Sequence, residues 1–153
     1  MRVKIKRKAK GSWHSTWVEE LKRAVRFSAS ALDISKKNIK VDIVLKNDPS
    51  VDYAGVCLDI VPMRRFVLIL NAAYVQDQDH ILSLVFHEMT HVAQAFHQGF
   101  VWEEFETAHY EGMVYTFDDW DEFKDVYMSL PWEVDARKSE KKLLKRYKKL
   151  LSI

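Results

Sequence analysis

Cysteine, proline and glycine are scarce in this chain of 153 residues, which holds one, three and four of them. With Cys57 alone, an internal disulfide and a cysteine-built zinc site within one chain are excluded. There is no low-complexity linker and no internal repeat. Long apolar runs are missing too. The best candidate, Ile60 to Leu70, is broken by Arg64 and Arg65 and falls short of the roughly 20 residues of a membrane span. The basic start, Met1 to Lys8, is not followed by an apolar stretch, so no secretory leader is expected. These absences point to a reducing, cytoplasmic setting and to no membrane partner.

Hydrophobic residues make up 48% of the chain and charged residues 30%, which reads as one globular domain over residues 1–153. Residues 1–12 form its basic N-terminal strand or arm. The net charge of +2 conceals segregation. Residues 1–10 carry six Lys or Arg and no acid, and residues 137–149 carry eight against Glu140. Residues 101–125 hold nine Asp or Glu against Lys124. The plain reading of the basic ends is solvated faces of terminal elements; the functional one is a surface for nucleic acid or another acidic partner.

Val3 and Ile5 alternate with Lys and Arg, which predicts a short exposed strand. Thr16 and Glu19 form a capping-box pattern before a helix reaching about Leu32. Ile39, Val41, Ile43 and Leu45 alternate as in a half-buried strand, and two more strands are expected over about 53–60 and 66–70. A helix is predicted from Asp77 or Asp79 to about His97, with Gly99 beyond its end. Segment 100–128 reads as an irregular loop with a short hairpin. A final helix starts at Pro131 and runs to about Leu150.

The most chemically specific stretch is Phe86-His87-Glu88-Met89-Thr90-His91, an H-E-x-x-H motif inside an apolar helix. Residues four apart share a helix face, about 6 Å apart along the axis. His87 and His91 can therefore converge on one metal ion, with Glu88 beside them to carry a proton. The reaction class this suggests is hydrolysis assisted by one zinc ion.

A catalytic zinc site usually takes three protein ligands and a water. His97 has the metzincin spacing, but that pattern needs glycine where this chain has Gln94, because the backbone must turn there. On a continuous helix His97 would lie about 9 Å beyond His91 along the axis, out of reach of the ion. Glu133, in Pro131-Trp132-Glu133-Val134-Asp135-Ala136, is the better candidate. It sits in the first turn of a second helix, where a carboxylate gains from the helix dipole, and Ala136 leaves room for close packing. Asp135 is the alternative, as a ligand or as an acceptor for an imidazole N–H.

Strand Phe66–Asn71, the helix with His87-Glu88-x-x-His91-Val92-Ala93-Gln94 and the later Pro131-Trp132-Glu133-x-x-Ala136 together resemble the minimal gluzincin-type metallopeptidases. The pattern is similar in particular to small phage and bacterial proteins related to the SprT-like and ImmA/IrrE metallopeptidase domains. The resemblance covers about residues 50–150. It implies an α+β, zincin-like fold: a small, mostly antiparallel sheet packed on the helix carrying the motif, with N-terminal and C-terminal helices. It also implies that Phe66–Asn71 is the sheet edge beside the cleft, pairing with an extended peptide substrate. Two departures stand out. The third histidine of SprT-like domains has no match, and Arg137 occupies the position where many gluzincins place an acid.

The expected activity is peptide-bond hydrolysis, with the ion on His87, His91 and Glu133 and with Glu88 as general base. An oxyanion donor would come from the segment holding His109, Tyr110, Tyr115 and Tyr127; Tyr115 is the expected one, although no spacing rule selects it. The acidic segment either lines the cleft, favouring basic substrates, or is simply solvated. Two other readings compete: a nucleic-acid-associated binding module with a structural or vestigial metal site, and a SprT-like protease acting on DNA-bound proteins.

Overall fold

The alternation at the start of the chain folds as a strand, β1 (Arg2–Arg7), which turns Val3 and Ile5 to the core and Arg2, Lys4 and Lys6 to solvent. The computed structural model describes residues 1–7, 15–103 and 106–152. β1 runs parallel to β2 (Lys40–Lys46), with Val3 opposite Val41 and Ile5 opposite Ile43. Parallel neighbours need a crossover, and helix α1 (Ser15–Ala31) supplies it. Leu21, Ala24, Val25, Ser28 and Ala29, spaced three or four apart where it matters, form its buried stripe. The expected capping box rests on the Thr16 side chain and lies outside what is described.

β3 (Gly55–Val61) and β4 (Arg65–Asn71) form a hairpin whose turn holds Met63 at φ 61°. The sheet order is β1-β2-β4-β3, with β4 parallel to β2 and antiparallel to β3. This corrects the expectation that Phe66–Asn71 is the sheet edge: β4 is an inner strand and β3 is the edge. The reason is visible in the side chains. Phe66, Leu68 and Leu70 are buried on one face and Val67 and Ile69 half-buried on the other, as an inner strand requires. β3, by contrast, exposes Leu58, Asp59, Ile60 and Val61. The sheet is mixed rather than mostly antiparallel; the expected antiparallel pairing dominates elsewhere in the molecule.

Helix α2 (Gln78–His97) is capped by Asp77, whose carboxylate accepts from the His80 N–H at 2.8 Å. It ends before Gly99, which takes φ 64°, a left-handed conformation that favours glycine. Ile81, Leu82, Val85, Phe86, Met89 and Val92 bury it between the sheet, α1 and the C-terminal helix α4 (Pro131–Leu151). Where α2 meets α4, the small residues Ala136 and Ser139 allow close approach: the Thr90 hydroxyl donates to the Phe86 carbonyl, and Ser139 Oγ donates to Thr90 Oγ1 at 2.9 Å.

The segment between α2 and α4 is ordered rather than irregular. β5 (Val101–Glu103), β6 (Thr107–Tyr110) and β7 (Met113–Thr116) form an antiparallel sheet, and a short helix α3 (Trp120–Val126) follows. Glu111 and Gly112, at φ 51° and 77°, make the tight turn between β6 and β7. This lobe has its own core of Ala108, Tyr110, Phe117, Leu130 and Trp132. Trp132 sits in both the lobe and the first turn of α4, next to Glu133, and so ties the lobe to the site. Among the described residues the architecture is α+β with four α-helices. Among the described residues no helix is long and apolar enough to cross a membrane.

Candidate metal centre

α2 places His87 and His91 on the same face, their rings 4.9 Å apart and nearly perpendicular. The first turn of α4 brings Glu133 against both. Its Oε2 is 3.0 Å from His87 Nε2, and its Oε1 is 3.0 Å from His91 Nε2. The donor atoms of these three residues lie within 4.8 Å of one another, and the group could hold a metal ion. A tetrahedral ion at about 2 Å from each ligand separates its donors by roughly 3.3 Å, so small movements would accommodate it. Two imidazole nitrogens and one carboxylate oxygen suit a borderline divalent cation and leave further positions open.

The far side of each imidazole is fixed. His87 Nδ1 donates to Glu140 Oε2 at 2.7 Å, and His91 Nδ1 donates to Gln94 Oε1 at 2.7 Å. The Gln94 orientation follows from its other end: its Nε2 donates to the Trp132 carbonyl at 2.9 Å, which can only accept. Both histidines thus carry a proton on Nδ1, leaving Nε2 as the atom turned to the ligand cluster.

The same contacts set the ionisation. Burial alone would lower the His87 imidazole, but the Glu133 and Glu140 carboxylates outweigh it and hold it up at about 10. His91 is likewise raised, its burial opposed by Glu133 and Glu88. Burial would raise Glu133, yet the two histidines hold it down at about 2.

Glu88 is buried and stands outside the ligand group, on the side facing β3. A Cβ on Gly55 would lie 3.2 Å from Glu88 Oε1, so the glycine at the start of the edge strand leaves the space this carboxylate fills. Burial raises its pKa, with His91 and His87 acting in the opposite direction.

The residues read from the sequence divide clearly. His87, His91 and Glu133 come together as expected, with Glu88 beside them. His97 is turned away, its Nε2 donating to the Leu32 carbonyl at 2.8 Å. Asp135 is not in the ligand group; it is exposed and accepts from the Tyr110 hydroxyl at 2.8 Å. Nor does it hold an imidazole N–H, a task divided between Glu140 and Gln94. Arg137 donates to the Met128 carbonyl, bracing the turn before α4.

Tyr115 packs edge-on against Trp132, with 5.1 Å between ring centroids. Tyr127 lies close enough to Glu133 and Glu88 to feel their charges: burial first, then these two carboxylates, raises its pKa. Sequence reasoning missed Glu140 and the orienting role of Gln94. Glu140 lies seven residues after Glu133, two turns along the same face of α4. That periodicity was the available signal.

No family model matches this chain, and neither a curated protein nor a solved structure matches it.

Proposed function

We propose that the protein is a zinc-dependent peptidase of gluzincin type. One observation carries this reading: two Nε2 atoms from α2 and a carboxylate from α4 converge, each imidazole fixed from behind, while a buried Glu88 outside the ligand group faces the edge strand. A bound zinc would supply Lewis acidity and an acidified water.

The chain's own residues divide the remaining work. Glu88 takes a proton from the water and passes it to the leaving amine. Tyr127, whose ionisation responds to the Glu133 and Glu88 charges, is the proposed donor toward negative charge developing on the scissile carbonyl. The outer side of β3 receives an extended peptide by strand addition, with Leu58, Ile60 and Val61 offering apolar contacts. A closed structural zinc site would use a fourth protein donor, and the group of described residues has three.

The test is metal analysis joined to hydrolysis of unstructured peptides. Purified protein should bind one zinc, and Glu88→Gln should keep the zinc while losing hydrolysis by at least about a hundredfold. Stoichiometric zinc with no hydrolysis of any peptide would leave a binding protein rather than an enzyme. No zinc binding, with His87→Ala unchanged in metal content, would remove the reading altogether.

A further inference from the structure

α4 carries eight Lys or Arg from Arg137 to Lys149, and the acid among them, Glu140, is turned inward onto His87. Leu143 and Tyr147 are buried in the core. The exposed face is therefore left to Lys138, Lys141, Lys142, Lys145, Arg146, Lys148 and Lys149. Among the described residues, only Lys148 of these is in an ion pair, with Asp79 at 2.6 Å. The cations of the sheet differ: Lys6, Lys40 and Arg65 share the buried carboxylate of Asp42. Like charges four apart on a helix repel one another, and among the described residues no ion pair other than that of Lys148 offsets them.

The arrangement is regular as well as charged. Lys138, Lys142 and Arg146 form one stripe, each about 6 Å further along the axis. They flank a groove between α1 and α4 whose floor is Ala31, Leu32 and Leu143. Arg146 is steadied over the Phe27 ring, 6.0 Å from its centroid. Lys141, Lys145 and Lys149 form a second stripe at the same interval.

We propose that this face of α4 binds the phosphodiester backbone of a nucleic acid, without reading its sequence. A polymer with one negative charge per residue at regular intervals complements two regular stripes of unpaired cations. The groove floor is aliphatic and has no aromatic platform for stacking bases, so the contacts would be to phosphates. A membrane surface fits less well, because the exposed large apolar side chains of α4 are Leu150 and Leu151, at its very end. The proposal does not depend on the metal centre.

Fluorescence anisotropy with a labelled mixed-sequence duplex and the corresponding single strand tests it on the full chain. Binding of either should fall log-linearly with salt, with a slope near −0.9 per phosphate contacted on duplex. K138Q/K142Q/R146Q should make that slope shallower by about 2 to 3 and weaken low-salt binding at least tenfold. K46Q/R64Q/K124Q removes three charges elsewhere and should change binding by less than about twofold. K138R/K142R should bind as the parent does, and matching circular dichroism spectra would show that the variants are folded. Absent or salt-independent binding, equal loss in both triple variants, or tighter binding to phosphatidylserine vesicles than to nucleic acid would each overturn the proposal.

Discussion

Gln94 holds His91 by its ring nitrogen while fastening α2 to α4: its amide oxygen accepts from His91 Nδ1 at 2.7 Å, and its amide nitrogen donates to the Trp132 carbonyl at 2.9 Å. The residue occupies the position where a metzincin would have glycine, and here it keeps the helix continuous and orients a ligand instead. Gln94→Leu removes both bonds. The expected outcome is a loss of zinc affinity of about ten- to a hundredfold, measured by chelator competition, together with destabilisation of about 1–3 kcal/mol from the two lost buried hydrogen bonds. Unchanged affinity would mean that His91 needs no such support.

The ligand cluster also sets how stability depends on pH in metal-stripped protein. His87 is raised to about 10, so its contribution is complete below its ordinary 6.5 and is lost as pH rises through 10. Glu133 is depressed to about 2, so its contribution is complete above its ordinary 4.5 and is lost as pH falls through 2. The two windows overlap between pH 4.5 and 6.5, where thermal melts in the presence of a chelator should show the greatest stability. His87→Ala should flatten the alkaline decline. Metal affinity should run the other way across neutral pH, rising as the imidazole protons leave.

Much of this site was legible because its parts are local. An i, i+4 histidine pair on a helix and a carboxylate two residues after Pro131 are short-range patterns, and short-range geometry is fixed once the helix is. Strand placement was not legible in the same way. That Phe66–Asn71 lies inside the sheet and Gly55–Val61 at its edge depends on pairing across many residues, although the apolar run of Phe66 to Leu70 hinted at burial on both faces. The short hairpin expected in segment 100–128 is present as β6 and β7, but the third strand and helix α3 were not legible, because the strands have only three or four residues, too short for a periodicity to declare itself. The Glu111-Gly112 turn also lacks the Asn or Asp that usually announces such a hairpin.

Trp132 links the lobe to the metal centre and is almost fully buried, at 1% exposure. Its ring stacks on Phe100 at 5.2 Å and meets Tyr110, Tyr115 and Trp102 edge-on. Trp132→Ala should cost about 3–5 kcal/mol in denaturant unfolding. Because Glu133 follows directly, zinc affinity should fall as well. Trp132→Phe, which retains most of the packing, should restore a large part of both.

Gly55 offers a way to disturb the proposed general base without touching a ligand. Its backbone is not in the left-handed region, so a side chain there is resisted only by the Glu88 carboxylate, whose Oε1 would be 3.2 Å from the new Cβ. Gly55→Ala requires Glu88 to yield by a few tenths of an ångström, and Gly55→Val by more. If Glu88 carries the proton in peptide hydrolysis, the valine variant should keep its zinc and lose at least about tenfold in kcat. The alanine variant should fall between it and the parent. Zinc content measured alongside the rate separates this effect from damage to His87, His91 or Glu133, and equal rates in all three proteins would show that the position of Glu88 does not govern the reaction.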